Sequence, residues 1–178
     1  MRPNRGMVVL RHLLAIAALP FVVTVVIPVW LAGRYPAPPR ETSLIPFLLL
    51  IPGLCTLLGG LFLFAHSLRR FATDGEGTLA PWDPPRKLVV RGPYRFVRNP
   101  MISGVLLILF GEAMLLYSPA HAAWALAFFA INAVVIPLVE EPQLKARFGA
   151  EYIEYCKHVP RLVPRLTPWT PSVLRPLP

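Results

Sequence analysis

Long apolar runs separated by short polar segments dominate the pattern of the chain. Four runs approach or reach the roughly 20 residues that a helix needs to cross a bilayer, and they cover 13–32, 44–66, 101–117 and 120–139. Three of these runs contain no Asp, Glu, Lys or Arg, and Glu112 is the only such residue in the remaining one. The pattern predicts an all-α integral membrane protein with about four transmembrane helices, which forms one domain over 1–178.

The connections between these runs predict how the helices are arranged. Ser118 and Pro119 leave almost no loop between the last two runs, so we expect a tight antiparallel hairpin. Pro20 and Pro28 should bend the first helix, because proline lacks a backbone N–H, and neighbouring helices can satisfy the freed carbonyls. A charged Glu112 is costly within a span. We therefore expect Glu112 to pack there, either against His121 or as a neutral, protonated acid.

The segment after the last apolar run has helical periodicity. Leu144, Phe148, Tyr152, Tyr155 and Val159 recur at steps of four, four, three and four, which places them on one stripe. Gly149 is expected to divide this stretch into two short helices. The pattern predicts a C-terminal cytoplasmic amphipathic helix that lies on the membrane or across the inner face of the protein.

The distribution of charge sets the expected topology and partners. The net charge is +9, and the chain is 55% hydrophobic. Basic residues cluster before the first run, between the second and third, and after the fourth, which predicts that both termini and the middle loop are cytoplasmic. Contact with membrane lipids is therefore expected, and nucleic acid is not. On this topology Cys55 lies within a span and Cys156 in the tail, so a disulfide between them is not expected.

Two polar segments, 91–104 and 140–165, carry the candidate chemistry. Pro100 begins the third helix, whose free N–H groups favour a carboxylate or phosphate, and Arg95 and Arg98 reinforce that field. Glu140 and Glu141 end the fourth helix at the same depth, because the limbs of the hairpin have similar lengths. We therefore expect the arginines and the glutamates to be neighbours.

A zwitterion with an amino acid carboxylate, a sulfonium and a ribose diol matches such an arrangement of donors and acceptors. The sequence contains no HExxH or CxxC spacing, so no metal is expected.

The two polar segments also carry a resemblance to a known family. RGPYRFVRNPM, followed downstream by EEPQLKARFGAEYIEYCKHVPRLVP, resembles the isoprenylcysteine carboxyl methyltransferase and phospholipid methyltransferase superfamily. The stretch GEGTLAPWDPPRKLVVRGPYR resembles a bacterial branch, which implies a bacterial inner membrane. The resemblance implies a membrane fold that binds S-adenosylmethionine at the cytoplasmic face, releases S-adenosylhomocysteine and has no Rossmann domain.

The resemblance also implies which residues form the site. Arg98 and Glu141 are the expected catalytic residues. The expected cofactor-binding residues are Tyr94, Arg95, Arg98, Asn99, Pro100, Ile102, Gly104, Glu140, Glu141 and Leu144. The family usually has tyrosine where this chain has Ile102, so a hydroxyl or an aromatic wall is lost there.

The resemblance implies methyl transfer to a lipophilic small molecule or lipid, with carboxyl O-methylation as the leading hypothesis. O-methylation of a carboxylate needs no general base. N-methylation of a phospholipid amine needs one, for which Glu141 or His66 is the candidate. A non-catalytic membrane protein with the same fold is the third hypothesis, and the sequence leaves the oligomeric state open.

Overall fold

A computed structural model of the protein describes residues 17–39, 44–75 and 86–170. These residues form helices and turns, with no β-strand among them. A π-helical segment, Ala17–Val26, continues as α1, Ile27–Arg34, and α2, Ile45–Leu48, leads into α3, Leu50–Asp74. A 3₁₀ turn, Gly92–Arg95, precedes α4, Pro100–Leu116, and α5, Pro119–Val135. A second π-helical segment, Ile136–Glu140, then joins α5 to α6, Glu141–His158.

The four predicted spans coincide with apolar helices. Two continuous helices, Ile45–Asp74 and Pro119–His158, are long and apolar enough to cross a membrane. Leu19–Arg34 and Pro100–Leu116 are apolar but shorter, and the predicted start of the first span lies outside the described residues. Large apolar side chains such as Ile51, Phe62 and Leu138 are exposed, as lipid-facing residues are. An all-helical membrane protein is therefore supported, whereas the number of spans and their orientation stay predictions.

Glycines hold α3 and α4 together. A Cβ atom on Gly60 would lie 2.7 Å from the backbone nitrogen of Ile108. One on Gly104 would lie 2.9 Å from the backbone nitrogen of Phe64. The two backbones approach this closely only because side chains are missing at the contact, as small residues permit in membrane helices. This contact fixes α4, whose first residues belong to the predicted site.

The α4–α5 hairpin is as tight as predicted. Tyr117 adopts a left-handed conformation with φ 49°, and Ser118 then caps α5 by accepting a hydrogen bond from the His121 backbone N–H. The His121 ring contacts the Ser118 hydroxyl and the Pro28 carbonyl, so its expected pairing with Glu112 is wrong. Glu112 Oε2 is buried with no hydrogen-bond partner among the described residues.

The first apolar helix uses a neighbouring helix to satisfy a carbonyl, as predicted. In π-helical geometry each N–H bonds to the carbonyl five residues earlier, and Pro28 has no N–H to offer Val23. The Trp124 indole N–H of α5 donates to the Val23 carbonyl at 3.1 Å. This bond joins the first helix to the hairpin, beside a core that includes Val105, Leu109 and Phe128.

Helix α6 is amphipathic and broken at Gly149, whose φ of 55° and ψ of −130° are not helical. Its predicted stripe faces the protein, because Tyr152, Tyr155 and Val159 are buried together with Val90. The helix therefore packs on the protein's own segment around Val90. Its predicted location on the cytoplasmic side stays a prediction.

The chain after α6 folds back over the start of α4. Its backbone hydrogen bonds join it to 95–99, with Arg98 N–H donating to Pro160 O at 2.8 Å and Asn99 N–H donating to Arg161 O at 3.2 Å. Further along, Arg165 N–H donates to Phe96 O at 3.0 Å and Trp169 N–H to Arg95 O at 2.9 Å. We call residues 160–170 the return segment.

The predicted topology can be tested by labelling. The basic residues place 33–43 and 67–100 on opposite sides of the membrane. Single cysteines introduced by Pro38→Cys and Pro84→Cys, in a chain with Cys55 and Cys156 replaced by serine, should therefore react with a membrane-impermeant maleimide from opposite sides. Labelling of both positions from one side would contradict the four-span topology and the depth argument for the site.

Candidate active site

The structure brings Arg98 and Glu141 together, as the hairpin argument predicts. Arg98 Nη1 lies 3.1 Å from Glu141 Oε1, and the two side chains are only 10% and 7% exposed. Arg98 lies just before α4, and Glu141 is the first residue of α6. The pair therefore joins the two polar segments that the sequence singled out.

Arg161 is a third member of this cluster, and sequence reasoning did not identify it. Its Nε donates to Glu141 Oε1 at 2.6 Å, while its carbonyl accepts from the Asn99 backbone N–H. Arg161 lies within the predicted 140–165 segment, but no spacing distinguishes it from the other basic residues there. The fold of the return segment brings Arg161 to Glu141.

The two adjacent carboxyl groups have different electrostatic environments. Burial alone would raise the pKa of Glu141, but the hydrogen bond from Arg161 and the charges of Arg98 and Arg161 lower it below the usual range. Burial and the nearby charge of Glu141 raise the pKa of Glu140. Glu141 is thus a fixed anion, and Glu140 is the better proton acceptor of the two.

Two buried donors lack partners among the described residues. They are Arg98 Nε and the Tyr94 hydroxyl. Burial raises the pKa of Tyr94, so its hydroxyl keeps its proton. Arg98 Nη1 is already engaged, since it also donates to Cys156 Sγ at 2.7 Å. Unpaired buried polar groups are costly, and two of them in the predicted cofactor segment fit a ligand that offers acceptors.

Several predicted residues lie around this cluster. Pro100 is buried at the first turn of α4, and Asn99 directs its side-chain amide to the Arg161 carbonyl at 3.4 Å. Leu144 packs on the buried tyrosine cluster of α6, and Ile102 packs on the apolar core between the helices. Leu144 and Ile102 thus belong to two separate apolar clusters.

Two predicted residues have other contacts. Gly104 packs against the α3 backbone, beside Phe64 and Gly60. Arg95 donates to the Trp169 carbonyl at 2.7 Å and to the Thr170 hydroxyl. The guanidinium groups of Arg95 and Arg98 thus have different partners, and the role of Arg95 in binding the cofactor stays a prediction.

This architecture defines a class of protein, a helical membrane protein with a buried charged cluster where its apolar hairpin ends. The sequence profile of the phospholipid methyltransferase family matches residues 49–151. This match covers more than half of the chain and includes Arg98, Glu140 and Glu141. The chain belongs to this family.

Two curated relatives are similar to part of the chain. Protein-S-isoprenylcysteine O-methyltransferase B of Arabidopsis thaliana is 40% identical over 79 residues, which are 44% of this chain and 40% of the relative. Methanethiol S-methyltransferase 2 of Bradyrhizobium diazoefficiens is 40% identical over 73 residues, 41% of this chain and 27% of the relative. Less than half of each relative is therefore compared. The names of the family and of both relatives indicate a methyltransferase, and no solved structure matches the chain.

Proposed function

We propose that this protein is a membrane methyltransferase that uses S-adenosylmethionine to methylate the carboxylate of a lipophilic acceptor. The observation that carries the proposal is the cluster of Arg98, Glu141 and Arg161, which joins the two segments that resemble the family's motifs. A buried charged cluster of this kind is a candidate functional site on physical grounds, independently of the resemblance.

The residues around the cluster suit the polar groups of the cofactor. The unpartnered Arg98 Nε and the α4 N-terminus would hold the amino acid carboxylate, and the Tyr94 hydroxyl can donate to a further acceptor. Glu140 is half-buried beside the cluster and can accept hydrogen bonds from ribose hydroxyls. Asn99 and Pro100 shape the start of α4, while Leu144 and Ile102 supply apolar walls.

Bound S-adenosylmethionine supplies an already activated methyl group. The chain's own task is then to align the acceptor and exclude water, which accounts for a large part of many enzymatic rate enhancements. The apolar helices give a lipophilic acceptor access from the bilayer. Arg161 is only partly buried and can orient a carboxylate at the membrane surface.

The state of Glu141 favours a carboxylate acceptor over an amine. Two arginines hold Glu141 ionised and lower its pKa, so it is a poor base. Methylation of a carboxylate needs no base, whereas a protonated amine must first lose a proton. The isoprenylcysteine O-methyltransferase of Arabidopsis thaliana supports the same choice.

Glu140 supports a second candidate function, N-methylation of a phospholipid amine. Its raised pKa makes it a better base than Glu141, and the family is named for phospholipid methylation. His66, the other candidate base, stacks on Phe62 and lies beside Gly92. Glu140 is therefore the residue on which N-methylation should depend.

Methyl-transfer assays with Glu140→Gln separate these two reactions. Purified protein would be given methyl-labelled S-adenosylmethionine and a panel of lipophilic carboxylate, phosphatidylethanolamine and thiol acceptors. Glutamine still accepts a hydrogen bond but cannot take a proton, so we expect carboxyl methylation to fall by less than about five-fold, in line with one neutral hydrogen bond. If the wild type instead transfers label to phosphatidylethanolamine and Glu140→Gln does not, the reaction is N-methylation.

Calorimetry with S-adenosylhomocysteine tests the non-catalytic alternative. If the wild type binds S-adenosylhomocysteine and Arg98→Gln binds it more weakly, the result supports the methyltransferase hypothesis. A folded wild-type protein that binds neither S-adenosylhomocysteine nor S-adenosylmethionine would instead be a membrane protein that has kept the fold without the chemistry.

A further inference from the structure

A cavity at the end of α3 is distinct from the cluster around Glu141. Its volume is about 430 Å³, and three of its lining residues are arginines. The lining consists of Arg70, Val90, Arg91, Gly92, Arg95 and Thr170. The methyl-transfer proposal uses none of these residues.

The backbone at Gly92 brings the three arginines together. Gly92 has a φ of +55°, and a Cβ there would lie 3.0 Å from His66 Nε2 and 3.3 Å from Arg70 Cγ. The 3₁₀ turn therefore packs directly on the last turns of α3. This contact places Arg91, just before the turn, and Arg95, its last residue, near Arg70.

Neutral groups hold Arg95 in place. Its Nε donates to the Trp169 carbonyl at 2.7 Å, and its Nη2 donates to the Thr170 hydroxyl. These bonds orient the guanidinium group, and no carboxylate in the described part of the chain forms a salt bridge with it. An oriented and uncompensated guanidinium group is already organised to bind an anion.

The charges around the cavity do not balance. Arg70 has one acidic neighbour, Asp74, with Nη1 and Oδ2 3.9 Å apart. Among the described residues, the salt bridges give neither Arg91 nor Arg95 a carboxylate. Within the residues that the structure describes, three guanidinium groups thus face one carboxylate, and their mutual repulsion is relieved when an anion binds.

The position and the residue type indicate a phosphate group. The apolar helix Ile45–Asp74 ends at this cavity, so the cavity lies at the depth of lipid headgroups. The planar fork of arginine matches phosphate oxygens in pairs, and arginine is favoured wherever phosphate is recognised in this way.

We propose that Arg70, Arg91 and Arg95 form a binding site for a phosphate group. An anionic phospholipid headgroup or a phosphate-bearing solute would supply it. The site does not depend on the proposed methyl transfer and can be tested without it.

Binding of short-chain phosphatidylglycerol to the full-length protein in neutral detergent tests the site. Native mass spectrometry would compare the wild type with Arg70→Gln/Arg91→Gln. Arg69→Gln/Arg86→Gln is the matched control, because it removes the same charge from two exposed side chains outside the cavity. We expect the cavity variant to bind at least about ten-fold more weakly, as the loss of charge-assisted bonds implies. The control should change by less than about two-fold, because neither of its side chains lines the cavity.

The arms of the experiment separate the sources of phosphate. Competition by inorganic phosphate would show that the site accepts a free phosphate group, and retention of phosphatidylglycerol against it would assign the site to a lipid headgroup. Equal weakening in the cavity and control variants would mean diffuse surface charge and would overturn the proposal. Displacement by S-adenosylhomocysteine would assign the cavity to the methyl donor and would also overturn it. If the double variant does not fold, Arg91→Gln alone, at an exposed side chain, gives the same comparison.

Discussion

Glu141→Gln should destabilise the protein by about 3 to 5 kcal/mol, the cost of removing one partner from a buried ion pair. Arg98 is only 10% exposed, so without the carboxylate its charge is left buried and uncompensated. Arg161 loses its 2.6 Å hydrogen bond in the same change. Because Glu141 joins α6 and the return segment to the start of α4, binding of S-adenosylhomocysteine should fall as well. Thermal unfolding in detergent and calorimetry would measure the two effects.

Glu151→Gln is the matched control for this change. Glu151 is an exposed glutamate of α6, so its replacement should alter stability by less than about 0.5 kcal/mol, as is usual for surface positions. A Glu141→Gln protein as stable as the control would show that the buried cluster does not hold these segments together.

The pH dependence of stability should distinguish the wild type from Glu141→Gln. The folded-state pKa of Glu141 is lowered, so its stabilising contribution is complete above the unfolded pKa of about 4.3. The contribution is lost as the pH falls toward the folded-state pKa, because the unfolded chain then binds the proton more tightly. The wild type and Glu141→Gln should therefore converge in stability below about pH 4. A gap that does not narrow as the pH falls below that value would contradict the assigned ion pair.

Gly60→Leu should separate α3 from α4 and cost about 3 kcal/mol or more, at the upper end of overpacking effects. A Cβ at Gly60 would meet the backbone nitrogen of Ile108 at 2.7 Å and the Gly104 carbonyl oxygen at 2.8 Å. Backbone atoms in a packed helix cannot move to relieve such a clash, whereas a flexible side chain can change its rotamer. The start of α4 should move with the helix, so we also expect binding of S-adenosylhomocysteine to weaken.

The neighbouring glycine provides the control. A Cβ on Gly59 meets nothing within 4 Å, and the residue is exposed on the outer side of α3. Gly59→Leu should therefore keep the wild-type unfolding temperature and S-adenosylhomocysteine binding, or raise stability slightly, because leucine is the better helix former. Equal losses in both variants would show that α3 tolerates no added side chain at this depth, whatever it faces.

The sequence predicts the helices that depend on residues close to one another along the chain. Apolar runs require helices in a bilayer because every backbone group must be satisfied internally. The α4–α5 hairpin follows from Ser118 and Pro119, and the buried stripe of α6 follows from its spacing. These features depend on near neighbours along the chain, so the pattern of residues alone identifies them.

The site was predictable only in part. Arg98 and Glu141 meet as expected, because equal limbs of a hairpin return to equal depth. The sequence did not predict the contact of Arg95 with the Trp169 carbonyl, since only the fold of the return segment brings that carbonyl to it. The same segment brings Arg161 to Glu141 from twenty residues further along the chain.

The sequence by itself therefore determined an all-helical membrane class, the hairpin, the amphipathic helix and the two segments to which we assign the proposed chemistry. Only the tertiary structure decided which basic residues neutralise Glu141, which glycines hold α3 against α4, and where a separate group of arginines collects. The reason is physical. Apolar periodicity acts over a few residues, whereas an ion pair or a backbone contact between distant segments exists only once the intervening chain has folded.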